Sequence, residues 1–335
     1  MFVARAPGKL VALGEYAVLD GAPAVVLALD RYVEVALELS TDGLCRLTMR
    51  SAAVVERTFT PGGASSAPLV DLVAAAAPHL AWTAIIDSEA FFERRAKLGL
   101  GSSAAVLCAW AGAFAAFARS RGEAIPPPTV EALIELHRTF QGGKGSGLDV
   151  AAAYTGGAIV YRVPRPGLPQ IGSVRLPNSV GFAGIFAGRS ASTPDLVARY
   201  RAWRRDRPRE AMVLVRRLAA LAETGCAALE GTNAAAQWLE AFAAYGRGLQ
   251  ELGEAIGADI VTAEHRAIGA EASRHGVAYK ISGAGGGDLG LACAADPERL
   301  EAFRTSVADR GFRVINVSLA EHGLQVAHGG AERQR

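Results

Sequence analysis

Residues 24–39 read AVVLALDRYVEVALEL, a Val- and Leu-rich run that partly alternates, which predicts a strand. GLCRLTMRS (43–51) and VVERTFTP (54–61) continue the period-two pattern as antiparallel strands, and PGGASSAP (61–68) interrupts it. LVDLVAAAAPHL (69–80) predicts a helix, and the long apolar run after Gly101 predicts another over 102–119. TVEALIELHRTF (129–140) has its apolar residues at helical spacing. QGGKGSG (141–147) then reads as a loop, LDVAAAY (148–154) as a short helix and GGAIVYRV (156–163) as a strand.

The second half is organised differently. VGFAGIFAG (180–188) predicts a strand, followed by three long helical patterns over about 194–223, 233–256 and 262–275. Strands VAYKIS (277–282) and LGLACAA (289–295) bracket a glycine loop. A helix over 297–310 and strand FRVINVSL (312–319) follow, and the tail HGGAERQR (328–335) reads as polar and frayed. Helices and strands mix without regular βαβ alternation, so the expected class is α+β in two lobes. Pro and Gly accumulate near 165–180, which predicts an N-terminal domain over 1–170 and a C-terminal domain over 171–335.

Length and charge narrow the function classes. At about 150 residues per domain, 335 residues make roughly two domains, and a 50% apolar composition can fill two cores. A formal net charge of +2 argues against nucleic acid as a partner. The arginines of YRAWRRDRPRE (200–210) are interleaved with acids, as on a solvated helix face. Cys45, Cys108, Cys226 and Cys293 are scattered, supporting neither zinc nor redox motifs and fitting a reduced cytoplasmic setting. MFVARAPGKL has no apolar signal core, and the uncharged run from Ala104 to Ala118 falls short of the roughly 20 residues that span a bilayer. No membrane partner is expected.

The candidate chemistry sits in glycine-containing stretches. In KLGLGSSAAV (97–106), glycines and hydroxyls open an apolar helix. A helix start leaves N–H groups unpaired and carries a positive dipole end, so this is a phosphate cradle or a plain serine cap. GLGSSA (99–104) also satisfies G-x-G-x-x-A, but that fingerprint needs a strand before it and a βαβ unit around it. No Walker-type P-loop occurs. GKGSGLDVAAAYTGG (143–157) puts Asp149 at the start of a short helix, as a dipole-favoured residue or as a carboxylate at a transfer centre. KISGAGGGDLGLA (280–292) holds five glycines where a hairpin turn needs one or two, which suggests backbone packed against a ligand. Lys9, in APGKLVALGEYAVLDG (6–21), lies in an apolar run where a charge is costly unless paired or used, and Asp149 is a plausible partner.

In this order, PGKLVALGEYAVL, GLGSSAAV and SGAGGG resemble the motifs of the superfamily of galactokinase, homoserine kinase, mevalonate kinase and phosphomevalonate kinase, along nearly the whole chain. Within it, Lys97 before LGLGSSAAV, QGGKGSGLDVAAAYTGG, SASTPDLV (190–197) and GADIVTAEHRAIGAEASRHGVAYKISGAGGGD (257–288) are similar to the phosphomevalonate kinase branch. Tyr16 stands where mevalonate kinases usually have His, and Asp288 where they usually have a further Gly. Ile281 and Leu289 replace a common Pro and Cys, both tolerably. Arg138, beside His137, stands where mevalonate kinases carry a magnesium-ligating Glu.

The resemblance implies a two-lobed small-molecule kinase fold and ATP-dependent phosphorylation of 5-phosphomevalonate to 5-diphosphomevalonate, with ATP and Mg2+ as cofactors. Lys97, Gly99, Leu100, Gly101, Ser102, Ser103 and Ala104 would surround the ATP phosphates in the N-terminal domain, Ser103 also serving the metal. Lys9 and Asp149 would be catalytic. Tyr16, Ser146, Gly147, Ser192, Thr193, Ser282, Gly283, Ala284 and Gly285 would serve the acceptor, with the C-terminal domain closing that site. For Tyr16, Ser146, Ser192 and Thr193 a structural hydrogen bond is an equal alternative. The implied protein is a cytoplasmic monomer or homodimer with a small-molecule substrate. Mevalonate kinase is the nearest alternative; a dinucleotide-dependent oxidoreductase and a non-catalytic ligand-binding relative are the others.

Overall fold

In the computed structural model the chain opens with strands β1 (Phe2–Leu13), β2 (Ala24–Leu39), β3 (Cys45–Arg50) and β4 (Val54–Phe59). Helix α1 (Pro68–Ala74), β5 (Trp82–Asp87) and the two-residue strands β6 (Phe92–Glu93) and β7 (Ala96–Lys97) lead into α2 (Ser102–Ser120), α3 (Val130–Phe140) and α4 (Leu148–Thr155). Then come β8 (Ala158–Arg162), β9 (Gln170–Val174), β10 (Gly181–Phe186), α5 (Thr193–Asp206), α6 (Pro208–Ala228), α7 (Ala234–Ile256) and α8 (Ala263–Arg274). β11 (Ala278–Ile281), β12 (Leu289–Ala294), α9 (Pro297–Asp309), β13 (Arg313–Asn316) and β14 (Gln325–His328) close the chain. The structure describes residues 1–93, 95–143, 145–164, 167–188, 193–231 and 233–329, Thr193 by its backbone alone.

The expected α+β class is the observed one, whereas the division of the chain differs from a single cut at residue 170. One compact unit takes residues 1–9, 28–157 and 319 onward; the other takes 10–27 and 158–318. The reason is the length of β1 and β2, each of which has residues in both units: β2 pairs with β8 over 24–27 and with β5 over 34–39.

In the first unit the strand order is β14-β1-β2-β5-β3-β4; the pairs β1 with β14, β2 with β5 and β3 with β4 are antiparallel, and β3 with β5 is parallel. Helix α2 is its core. Alanines and one glycine let neighbours approach from every side, and Leu107, Trp110, Phe114 and Phe117 are almost wholly buried. Trp110 stacks edge-on against Trp82 at 5.1 Å and donates its indole N–H to Val70 O at 3.2 Å, so the polar tip of this large side chain is satisfied. At 19 residues α2 is long and apolar enough to cross a membrane, but it is mostly buried inside the protein, as in a core helix.

In the second unit the start of β2 pairs with β8, and β8 with β9. A separate antiparallel sheet runs β11-β12-β10-β13. Its central strand β12 is buried throughout, which is why LGLACA reads as a continuous apolar run. Ile268, Ala272, Leu300, Phe303 and Val307 from α8 and α9 cover one face, packed on Ala183, Ile185, Ala292 and Ala294.

The helix expected over 194–223 is two helices. Pro208 opens α6 and drives Arg207 out of the helical region (φ −131°, ψ 60°), because the proline ring clashes with a preceding residue in the α conformation. β14 corrects the frayed reading of the tail at its near end: Phe2 pairs with His328 and Arg5 with Gln325.

Candidate active site

The expected site residues fall into two groups, one in each unit. In the first unit Lys9 is buried in mid-strand on β1, and its backbone N–H donates to Leu100 O at 2.8 Å. This bond fixes the strand against the loop that leads into α2. Leu100 gives its side chain to the core, and Gly99 and Gly101 both take φ 76°. Gly101 caps α2 and presses on Lys9: a Cβ there would lie 3.1 Å from Lys9 Cγ and Cε. The missing side chain makes room for the lysine stem.

Lys9 Nζ reaches 3.5 Å from Asp149 Oδ1, with side chains 9% and 31% exposed. Asp149 is held in the first turn of α4, whose cap Gly147 is left-handed and whose Leu148 N–H bonds to Ser146 Oγ at 3.4 Å. The first turn of α2 carries Ser102, Ser103 and Ala104; the N–H of Ala104 turns back onto Gly101 O at 3.1 Å, and those of Ser102 and Ser103 stand at the positive end of the helix dipole. The structure therefore brings a cation, a carboxylate and a helix N-terminus into one unit. Lys97, on β7 opposite Phe92, is exposed.

Two further residues belong to this group. Ser103 Oγ lies 3.1 Å from His137 Nε2, and His137 is 2% exposed. Burial pushes the imidazole pKa down, against the opposing pull of the Asp149 carboxylate. Arg138 donates Nε to Gly145 O at 3.3 Å and Nη2 to Ser146 O at 3.1 Å, so it straps the loop before α4. Among the described residues no three His, Cys, Asp or Glu side chains converge on a point where a metal ion could sit.

The dinucleotide reading needs a strand after α2. The segment from Ser120 leads instead into α3, and only the two-residue β7 precedes the loop, so the βαβ unit is not formed.

In the second unit the loop 282–288 joins β11 to β12, with Gly283, Gly285, Gly286, Gly287 and Asp288 all at positive φ. It is tied at many points. Ser282 N–H bonds to Leu289 O at 2.9 Å, Gly286 N–H to Ile260 O at 2.9 Å, and His265 Nε2 lies 2.9 Å from Gly287 O. A Cβ at Gly285 would come within 2.3 Å of Ile260 O, so that glycine is required by packing. Ser282 Oγ accepts from Val11 N–H at 2.8 Å, and Tyr16, buried, donates to Ala284 O at 2.6 Å. For Tyr16 and Ser146, then, the structural hydrogen bond is present. Ser192 and the Thr193 side chain lie outside the described residues.

Sequence reasoning passed over the Glu15–Lys280 ion pair. Both side chains are at most 2% exposed, and Lys280 Nζ also donates to Ile281 O at 2.7 Å and sits 5.3 Å from the Phe242 ring centroid. Burial raises the Glu15 carboxyl pKa and lowers that of Lys280, each opposed by the other's charge. The signal was present: two opposite charges, each within an apolar run, the same feature that singles out Lys9.

Residues 85–157, which carry Lys97–Ala104 and Asp149, match the model of the GHMP kinases N terminal domain. The phosphomevalonate kinase of Streptomyces sp. (strain CL190) is 30% identical over 338 aligned positions, covering 87% of this chain and 89% of that protein. Among solved structures, the Lin0012 protein from Listeria innocua matches 98% of this chain and 99% of its own with a TM-score of 0.84 at 23% identity. Streptococcus pneumoniae phosphomevalonate kinase in complex with phosphomevalonate and AMPPNP matches 96% of this chain and 100% of its own with a TM-score of 0.78 at 19% identity. The fold is theirs; and with one relative matched along most of its length and the family model falling on the glycine loop and the carboxylate, the chain belongs to the GHMP kinase family.

Proposed function

We propose that this chain transfers the terminal phosphoryl group of ATP to 5-phosphomevalonate, releasing ADP and 5-diphosphomevalonate. The observation that carries the reading is the Lys9–Asp149 pair, 3.5 Å apart in the unit that also presents the opening turn of α2. Phosphoryl transfer is catalysed by positioning and charge stabilisation, and these groups supply both. The choice of acceptor is supported by the Streptomyces relative.

In this reading the N–H groups of the first α2 turn, with Lys97, Ser102 and Ser103, cradle the ATP phosphates. Lys9 neutralises donor and acceptor as they approach. The acceptor is a phosphate monoester whose second pKa is about 6, so near neutral pH it is already largely a dianion and needs no general base. Asp149 therefore orients Lys9 and the acceptor. The loop from Ser282 to Gly285 serves the acceptor.

Magnesium fits as an ion borne by the nucleotide, with the Ser103 hydroxyl as the group offered to it and no convergent trio of protein ligands among the described residues. When bound it would offset phosphate charge. His137, neutral and buried, holds the Ser103 hydroxyl in place.

The test is ADP release from ATP with phosphomevalonate or mevalonate as the sole acceptor. Turnover with phosphomevalonate is expected; turnover with mevalonate alone would overturn the acceptor assignment.

A further inference from the structure

Glu15, Tyr16 and Ala17 form a γ-turn of the strained hand. Tyr16 stands at φ 61° and ψ −51°, and Ala17 N–H bonds back to Glu15 O at 2.7 Å. A side-chain-bearing residue adopts that backbone only where its surroundings over-determine it. Here they do so from several sides. Glu15 O also accepts from Tyr245 Oη at 2.7 Å, the Glu15 carboxylate pairs with Lys280, and the Tyr16 hydroxyl is spent on Ala284 O. Lys280 Nζ reaches Val11 O at 3.4 Å as well, and Val11 N–H bonds to Ser282 Oγ.

Several costs thus meet in one corner: a strained peptide and two charges taken out of water. Stability does not account for them, since a buried ion pair exchanged for apolar residues of like volume is often neutral or stabilising. What the arrangement supplies is register. The ammonium of β11 can meet the carboxylate only when the corner after β1 and the start of the glycine loop hold one relative position, and Tyr16 then reaches Ala284.

We propose that Lys280 and Glu15 are positioning residues that hold the strained Tyr16 corner, through which the Tyr16 hydroxyl sets the Ser282–Gly287 loop in the shape that receives the acceptor. The clamp is a property of the fold; its effect on the acceptor rests on the reaction proposed above. Tyr16 thereby acts through Ala284 and not by touching substrate.

The test compares the parent with Tyr16→Phe and with the double variant Glu15→Met/Lys280→Met. The readouts are KM for ATP and for phosphomevalonate, melting temperature, and amide hydrogen exchange over 282–288 without substrate. Tyr16→Phe is expected to raise the phosphomevalonate KM about tenfold, as loss of one hydrogen bond would, leaving the ATP KM unchanged and speeding exchange in the loop. The double variant is expected to melt close to the parent, yet show the same faster exchange and an acceptor KM raised at least as far. An acceptor KM and loop protection equal to the parent's in either folded variant would overturn the proposal, as would an equal rise in both KM values. Should the double variant not fold, Tyr16→Phe decides alone. Should the parent turn over no phosphomevalonate, the reaction fails but the exchange measurement still decides the clamp, unchanged protection refuting it.

Discussion

Lys9 Nζ and Asp149 Oδ1 stand 3.5 Å apart, the lysine almost wholly enclosed and the aspartate partly open to solvent. If the lysine faces developing charge and the aspartate only orients it, the two are unequal. Lys9→Ala is expected to lower kcat by about 10²–10³-fold, the range for removing a preorganised charge-stabilising group. Asp149→Asn, which keeps the shape and loses the charge, is expected to cost about tenfold at pH 8, one lost charge-assisted contact. Steady-state kinetics at pH 8 decide it, and an equal collapse of both variants would make Asp149 a base after all.

Gly101→Ala should injure the same centre from the other side. Its φ of 76° is strained for alanine by about 1–2 kcal/mol, and the new methyl would crowd the Lys9 stem at 3.1 Å. A modest fall in melting temperature with a disproportionate fall in kcat is expected. Parent-like turnover would show that Lys9 has room to move without consequence.

Trp110→Ala tests the core without touching the chemistry. The side chain is fully buried, stacks on Trp82 and satisfies Val70 O, so its loss should cost about 3–5 kcal/mol in urea unfolding. Activity per folded molecule should survive. A loss below about 1 kcal/mol would mean that α2 repacks far more freely than a close-packed interior allows.

Glu271 on α8 gives a pH signature. Its carboxylate accepts from Ser306 Oγ at 2.6 Å and from Arg274 at 2.6 Å, lies 2.7 Å from Arg310, and has a pKa held down to about 2 by the Ser306 hydrogen bond first and those guanidiniums next. A carboxyl held below its ordinary 4.5 contributes stability that is complete above that value and drains away as pH falls toward 2. Glu271→Gln should therefore unfold at lower urea than the parent at pH 7, with the gap narrowing from about pH 4.5 downward. A gap that stays constant to pH 3 would contradict the assignment.

How far these features were readable depended on which of them a residue declares by itself. The 3.6-residue period announces α3, and uninterrupted apolar runs announce α2 and β12. β9 (QIGSV) and β14 (QVAH) are strands because of what they pair with; their exposed side chains carry no alternation. The break between α5 and α6 was legible in Pro208 and outweighed by the helical period on both sides. At the site, Lys9 and Asp149 follow from the cost of a charge in an apolar setting. Glu15 and Lys280 obey the same rule, but Glu15 lies in a stretch read for Lys9 and Lys280 at the start of one read for its glycines. The γ-turn at Tyr16 has no sequence signal at all, since tyrosine is among the residues least suited to it.

The pairing of β1 with β14 has a consequence for how the protein is made. Phe2 and Arg5 find their strand partners at His328 and Gln325, so the sheet holding Lys9 lacks its edge until more than 320 further residues have left the ribosome. Synthesis at about 5–20 residues per second leaves that edge open for some tens of seconds. Over that interval the nascent chain presents an unpaired strand to its surroundings, and truncation before residue 325 would leave it so permanently.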